Sequence, residues 1–172
     1  GKTSFLAKDP MHPSFDPLEY RLLLLLLATL YRKWGKHRLW QLRPWVARWQ
    51  LDGIFAGVPG QGAEDAWWTT AFIIKTARLL GIPLSGGAVD IYKCFDQISR
   101  VLLKAILLLA GFPPKILEAY LRFHDNLKVY NNVAGGFGKP FTKAFSIPQG
   151  CPSSMLFIAI LLRPLILICE VP

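Results

Sequence analysis

Asp90 is the first side chain with clear chemical promise. The stretch Leu84-Ser85-Gly86-Gly87-Ala88-Val89-Asp90 is short, turns apolar towards its end and finishes on a carboxylate. This pattern predicts a buried strand over 84–90 that ends at Asp90. A carboxylate at a strand end, followed by a turn, presents the hard oxygen ligand that Mg²⁺ takes. An aspartate in that place also serves as a turn former or helix cap, and the residue alone does not separate the readings. The second cluster is Ser146-Ile147-Pro148-Gln149-Gly150-Cys151-Pro152-Ser153-Ser154. Gly150 lacks a Cβ, so backbone there can approach a ligand closely. The same residues also read as a Pro/Gly turn leading into a helix that Ser153 or Ser154 caps. The third cluster holds Arg32, Lys33, Lys36, Arg38, Arg43 and Arg48, with Tyr31, Trp34, Trp40, Trp45 and Trp49 between them and no acidic residue from 31 to 49. Cations neutralise phosphates and rings stack on bases, so the mixture suits a nucleic-acid backbone. It equally suits a solvated basic helix whose tryptophans face the core, because Trp45 and Trp49 are i,i+4 partners.

These residues must be positioned by a chain of 172 residues, enough for one domain with a sizeable core. Its composition is 52% hydrophobic, which excludes a disordered tail. Its net charge of +9 points to a polyanionic partner or an anionic surface. Cys94, Cys151 and Cys169 lie far apart and form no CxxC pair, so neither a disulfide framework nor a zinc site is expected, and a reducing compartment is. No signal peptide is evident at Gly1. Residues 1–19, with Pro10, Pro13 and Pro17, read as an extended lead-in.

Residues 20–34 read as a core helix, leucine all round with charges at its ends. Residues 53–62 are a glycine-rich loop, and Glu64-Asp65 opens a helix running to about Leu80, ended by Gly81 and Pro83. Asp96 or Ser99 caps a helix with Ile98, Leu102, Ile106 and Leu109 on one face, closed by Gly111 and Pro113. Pro114 starts another, with Ile116, Leu117, Tyr120 and Leu121 inward. Two strands, 127–133 and 141–147, flank the loop 134–138, and a last apolar helix begins near Cys151. The Leu22–Leu27 run belongs to an apolar stretch of about ten residues, where a bilayer needs roughly 20. The apolar stretch from Met155 to Cys169 is interrupted by Arg163-Pro164. Both are expected to be buried helices, not membrane spans.

The order of the motifs resembles the reverse transcriptases of non-long-terminal-repeat (LINE-type) retrotransposons. Ala88-Val89-Asp90-Ile91-Tyr92-Lys93-Cys94-Phe95-Asp96-Gln97-Ile98 resembles their first palm motif, and Ser146-Ile147-Pro148-Gln149-Gly150-Cys151-Pro152-Ser153-Ser154 resembles the next. Upstream, Tyr20-Arg21 resembles the Tyr-Arg-Pro-Ile fingers segment, with Leu22 in place of Pro. Gly57-Val58-Pro59-Gly60-Gln61 through Asp65-Ala66 resembles a Gly-Phe-x-Pro-Gly-Arg…Asp-Ala fingers loop, with Gln61 in place of Arg. The likeness runs over roughly 18–168. It implies an α+β fold of right-hand polymerase type, with fingers over 20–83 and a partial palm over 84–172. It implies that Asp90 binds two catalytic Mg²⁺ ions, with the backbone carbonyl of Ile91 beside the second. Phe95 would be the gate that rejects a 2′-hydroxyl, unless it is simply a core aromatic. Gln149 and Gly150 would line the nucleotide, and Arg21 would neutralise the triphosphate. An RNA template, a DNA primer and deoxynucleoside triphosphates are the implied partners; the sequence fixes no cellular location, though the family is consistent with an intracellular, nuclear one.

The departures are specific. Gln61 cannot supply a guanidinium's charge to a phosphate. The family's aromatic-Ala-Asp-Asp hairpin and its thumb are not in this sequence, and no Asp follows Asp125. The chain is therefore expected to be a fragment or a decayed copy, inactive by itself. Two rival readings are a non-catalytic basic module that binds nucleic acid through 31–49, and a membrane-associated helical protein built on the two apolar stretches. Arg163 inside the second stretch speaks against the membrane reading.

Overall fold

The computed structural model describes residues 2–7, 11, 20–133 and 136–169, with side chains described at 2, 3, 11, 27–133 and 136–169. The architecture is α+β, mostly helical, with one small sheet. The sheet has four strands in the order β2-β1-β3-β4. Strand β1 (Lys2–Ala7) pairs antiparallel with β2 (Tyr20–Leu26), from Lys2 opposite Leu26 to Ala7 opposite Tyr20, with an irregularity between Ser4 and Phe5. On its other edge β1 runs parallel to β3 (Tyr130–Val133), Lys2 facing Tyr130 and Ser4 facing Asn132. Strand β4 (Gly136–Phe137) closes a hairpin on β3.

Three expectations fail here for physical reasons. The leucine run is a strand, not a helix: its backbone is taken up by the ladder to β1, and such tertiary pairing overrides leucine's helical preference. Residues 84–90 form no strand. They are exposed and irregular, Val89 being 90% exposed. Gly86 and Gly87 have open space around them and cost backbone entropy to order, and no ladder holds them. The partner of β3 is Gly136–Phe137, not 141–147, where only Phe141 makes a bridge, to Val129. The lead-in is extended where it is described, as β1. Apart from Met11, an exposed bend, the rest of it and the loop at 134–135 lie outside the described residues.

The helices keep closer to expectation. Helix α1 (Thr29–Trp49) follows β2, and its side chains divide by spacing: Tyr31, Gly35, Leu42, Trp45 and Val46 are buried, while Arg32, Lys33, Lys36, Arg43 and Arg48 face solvent. Helix α2 (Ala63–Leu80) starts where the Asp65 carboxylate accepts from the Gly62 amide at 2.7 Å, and ends at Gly81 in the left-handed region. It buries no residue. The short α3 (Cys94–Gln97) leads to α4 (Arg100–Leu109), capped by Ser99. The buried stripe of α4 is Arg100, Leu103 and Leu107, with Ile106 beside it; Leu102 and Leu109 turn outward, Leu109 being 89% exposed. Ser99, not Asp96, caps α4, and packing against the core sets its inner face one position later than the apolar count suggests. Helix α5 (Pro114–Asp125) buries Leu117, Tyr120 and His124.

Helix α6 (Ser154–Cys169) buries Leu156 to Ile160, but its second half, past Arg163-Pro164, is largely exposed. Arg163 donates to the Trp49 carbonyl at 2.9 Å, satisfying an otherwise open carbonyl at the end of α1. No described helix is long and apolar enough to cross a membrane. The core lies between α1, α4, α5 and the first half of α6. The Trp45 ring meets Phe112 edge-on at 5.2 Å and Phe112 meets Phe157 at 5.7 Å.

Candidate functional site

The two palm-like motifs are far apart in sequence and joined in space. The Ile147 amide donates to the Phe95 carbonyl, and the Ser146 amide to the Ile98 carbonyl, each at 2.9 Å. The Lys143 ammonium pairs with the Asp96 carboxylate at 3.1 Å, at a half-buried position. Phe95 itself is half-buried and packs on the core beside Cys94 and Ile98. The motifs also share backbone strain. Among the described residues only Lys93 (φ 46°) and Ser146 (φ 95°) are non-glycine residues with positive φ, one in each motif. Such strain persists only where surrounding contacts fix it, and it concentrates at functional sites.

Arg100 supplies much of that fixing, and no motif singled it out. Its guanidinium pairs with Asp125 at 2.8 Å and donates to the carbonyls of Lys143, Phe145 and Ser146. An arginine in the first turn of a helix sits at the dipole's positive end, where it is disfavoured. That misplacement was the available sign of another duty. Beyond Ser146 the chain turns at Pro148, whose carbonyl accepts from the Cys151 amide at 3.1 Å and the Ser154 hydroxyl at 2.7 Å. Gln149 is half-buried on this turn and Gly150 is exposed with φ 100°, a conformation that suits glycine. Ser154 therefore braces the turn from the start of α6.

Upstream segments converge behind it. A Cβ on Gly57 would stand 2.5 Å from the Leu156 amide nitrogen, and one on Gly35 would stand 3.1 Å from the Pro152 ring. The fingers-like loop and α1 thus pack directly on the residues that follow Gln149-Gly150. Underneath, the Tyr31 hydroxyl lies 2.8 Å from His124 Nε2 and 3.3 Å from Cys151 Sγ. Burial, reinforced by the Arg100 charge, pushes His124 down to about 3. Burial raises both the Tyr31 hydroxyl and the Cys151 thiol.

Asp90 stands differently from its expected setting. It is exposed, on irregular chain, and not at a strand end. Burial, and secondarily the Asp90 charge, raises the Cys94 thiol, so the carboxylate is felt at the start of α3. The Ile91 carbonyl accepts from the Cys94 amide at 3.2 Å in the intervening turn. Among the described residues no three His, Cys, Asp or Glu side chains come together. The Arg21 side chain and Glu170 lie outside the described residues.

The tryptophan question at 31–49 has a divided answer. Trp45 is buried and donates its indole N–H to the Ala110 carbonyl at 3.1 Å, and Trp49 packs against it. Trp34 is half-buried, with the Arg38 guanidinium 5.9 Å over its ring. Only Trp40 is freely presented, 62% exposed. No protein-family model matches the sequence, and no curated protein matches it.

Proposed function

We propose that the chain is the fingers and front palm of a reverse transcriptase of the LINE type. In the parent enzyme it would serve template-directed addition of deoxynucleotides. One observation carries the reading: Phe95–Ile98 and Ser146–Ile147, drawn from the two motifs, are bonded backbone to backbone. That junction ties the main chain at Phe95 to the segment that leads into the Gln149-Gly150 turn, so the two motifs share one support. Phe95 is the sugar gate, and Gln149 and Gly150 line the base and sugar. Asp90, with the Ile91 carbonyl, faces the metal-bound triphosphate, and Arg21 neutralises it. A Mg²⁺ carried in by the triphosphate would offset phosphate charge there. RNA template, DNA primer and deoxynucleoside triphosphates are the partners, with the outward cations of α1 as a face for phosphates.

The test is binding of fluorescent deoxy- and ribonucleoside triphosphates to the intact chain, with and without Mg²⁺. The deoxy form should bind more tightly, Phe95→Ala should erase that preference, and Asp90→Asn should remove the gain from Mg²⁺. Equal binding of both sugars by the unaltered chain would defeat the assignment.

A further inference from the structure

Between the outer side of α1 and the Gly57–Pro59 loop lies an open cleft of about 390 Å³. Leu39, Val58, Pro59 and Pro152 form an apolar floor. Lys36, Trp40 and Arg43 stand around it, and no acidic residue lines it. Neither cation enters an ion pair among the described residues. The His37 ring lies nearly parallel to Trp40, 6.3 Å away between centroids. An apolar recess of this size beside a presented indole suits a flat, weakly polar ligand. Two unpaired cations next to it suit negative charge on the same molecule.

We propose that this cleft takes one unstacked base of a single-stranded nucleic acid. The base lies on the apolar floor against Trp40, and Lys36 and Arg43 meet the flanking phosphates. A duplex hides its base faces within the stack, so it cannot use the recess. The inference deepens the nucleic-acid side of the proposed function and does not depend on its chemistry at Asp90 or Phe95.

Fluorescence anisotropy of labelled oligonucleotides with the full chain tests it, using a uridine 12-mer, a thymidine 12-mer and a mixed duplex. Trp40→Ala should weaken single-strand binding about tenfold, as loss of one stacked base does. Lys36→Ala with Arg43→Ala should flatten the slope of log affinity against log salt by about 1.4, two single-strand phosphate contacts. Lys104→Ala on α4, away from the cleft, should change neither. Preference between the uridine and thymidine strands tells RNA from DNA as the source. Duplex bound as tightly as single strand, an inert Trp40→Ala, or Lys104→Ala acting like the cleft pair overturns the proposal. So does capture by anionic phosphatidylglycerol vesicles without oligonucleotide binding. Trp40→Ala should also leave triphosphate binding untouched, so failure here and failure of the Phe95 gate assignment are separately visible. The indole is exposed, and unchanged circular dichroism of the variant checks that folding is intact.

Discussion

Arg100 holds three consecutive structural tasks with one side chain: it anchors α4, closes on α5 through Asp125 and grips three carbonyls of the 143–146 segment. Hydrogen bonds from a buried charge are among the stronger ones, and their loss leaves the buried Ser146 carbonyl and two partly buried ones without this donor. Arg100→Met should therefore cost about 2–4 kcal/mol in urea unfolding. Asp125→Asn should cost less than about 1 kcal/mol, because the Asp125 side chain is 57% exposed and water screens that pair. His124 gives a second prediction. Its folded value, about 3, lies below its unfolded 6.5, so the unfolded chain takes up a proton that the folded chain refuses. Its contribution is fully present above pH 6.5 and is lost as pH falls from 6.5 towards 3. Stability should drop on the order of 3 kcal/mol between pH 6.5 and 4 from this group. His124→Leu should flatten that segment of the stability–pH curve, measured by urea midpoints at each pH. The Tyr31–His124–Cys151 cluster was not legible beforehand, since residues so distant in sequence carry no spacing signal.

At the scale of elements, Gly57 joins the glycine loop to α6 by proximity of backbone. Gly57→Ala meets both a positive φ of 73° and the Leu156 backbone, so it should cost about 2 kcal/mol or more by thermal unfolding. Gly60→Ala, with a similar φ of 80° but open space, should cost only about 1 kcal/mol. The elements that were legible are those whose signals are local. Asp65 and Gly81 bracket α2, Pro114 opens α5, and Gly111 stops α4 because their chemistry acts within a turn of the chain. The strands were misplaced because a strand is decided by its neighbour. Leu22–Leu26 is helical by preference and extended by its pairing with β1, and 84–90 is strand-like by letters with no partner to accept it. At the candidate site, the sequence named both motifs but not the Arg100 and Lys143 contacts that join them. The expected strand beneath Asp90 is not there.

Across the whole molecule, apolar surface is unevenly spent. Helix α2 exposes Trp67, Trp68, Phe72, Ile73, Leu79 and Leu80, and α6 exposes Leu165 and Ile168. A helix with no buried side chain draws little stability from packing and opens at low cost. Amides of α2 should exchange with solvent hydrogen much faster than those of α4 and α5, read residue by residue in deuterium exchange. Trp67→Gln with Trp68→Gln should change unfolding stability by less than about 0.5 kcal/mol while reducing self-association in light scattering.

The parallel contact between β1 and β3 has a consequence for how the chain is made. Lys2, Thr3 and Ser4 lie beside Tyr130, Asn131 and Asn132. On a ribosome β1 is made before its two partners and can join β2 early, yet its second edge stays open until β3 has emerged. Closing so long a loop is entropically costly and slow, so sheet completion is a late event in biogenesis. In the interim the nascent protein carries an unprotected strand edge, the kind of surface that chaperones shield and neighbouring polysomal copies can capture.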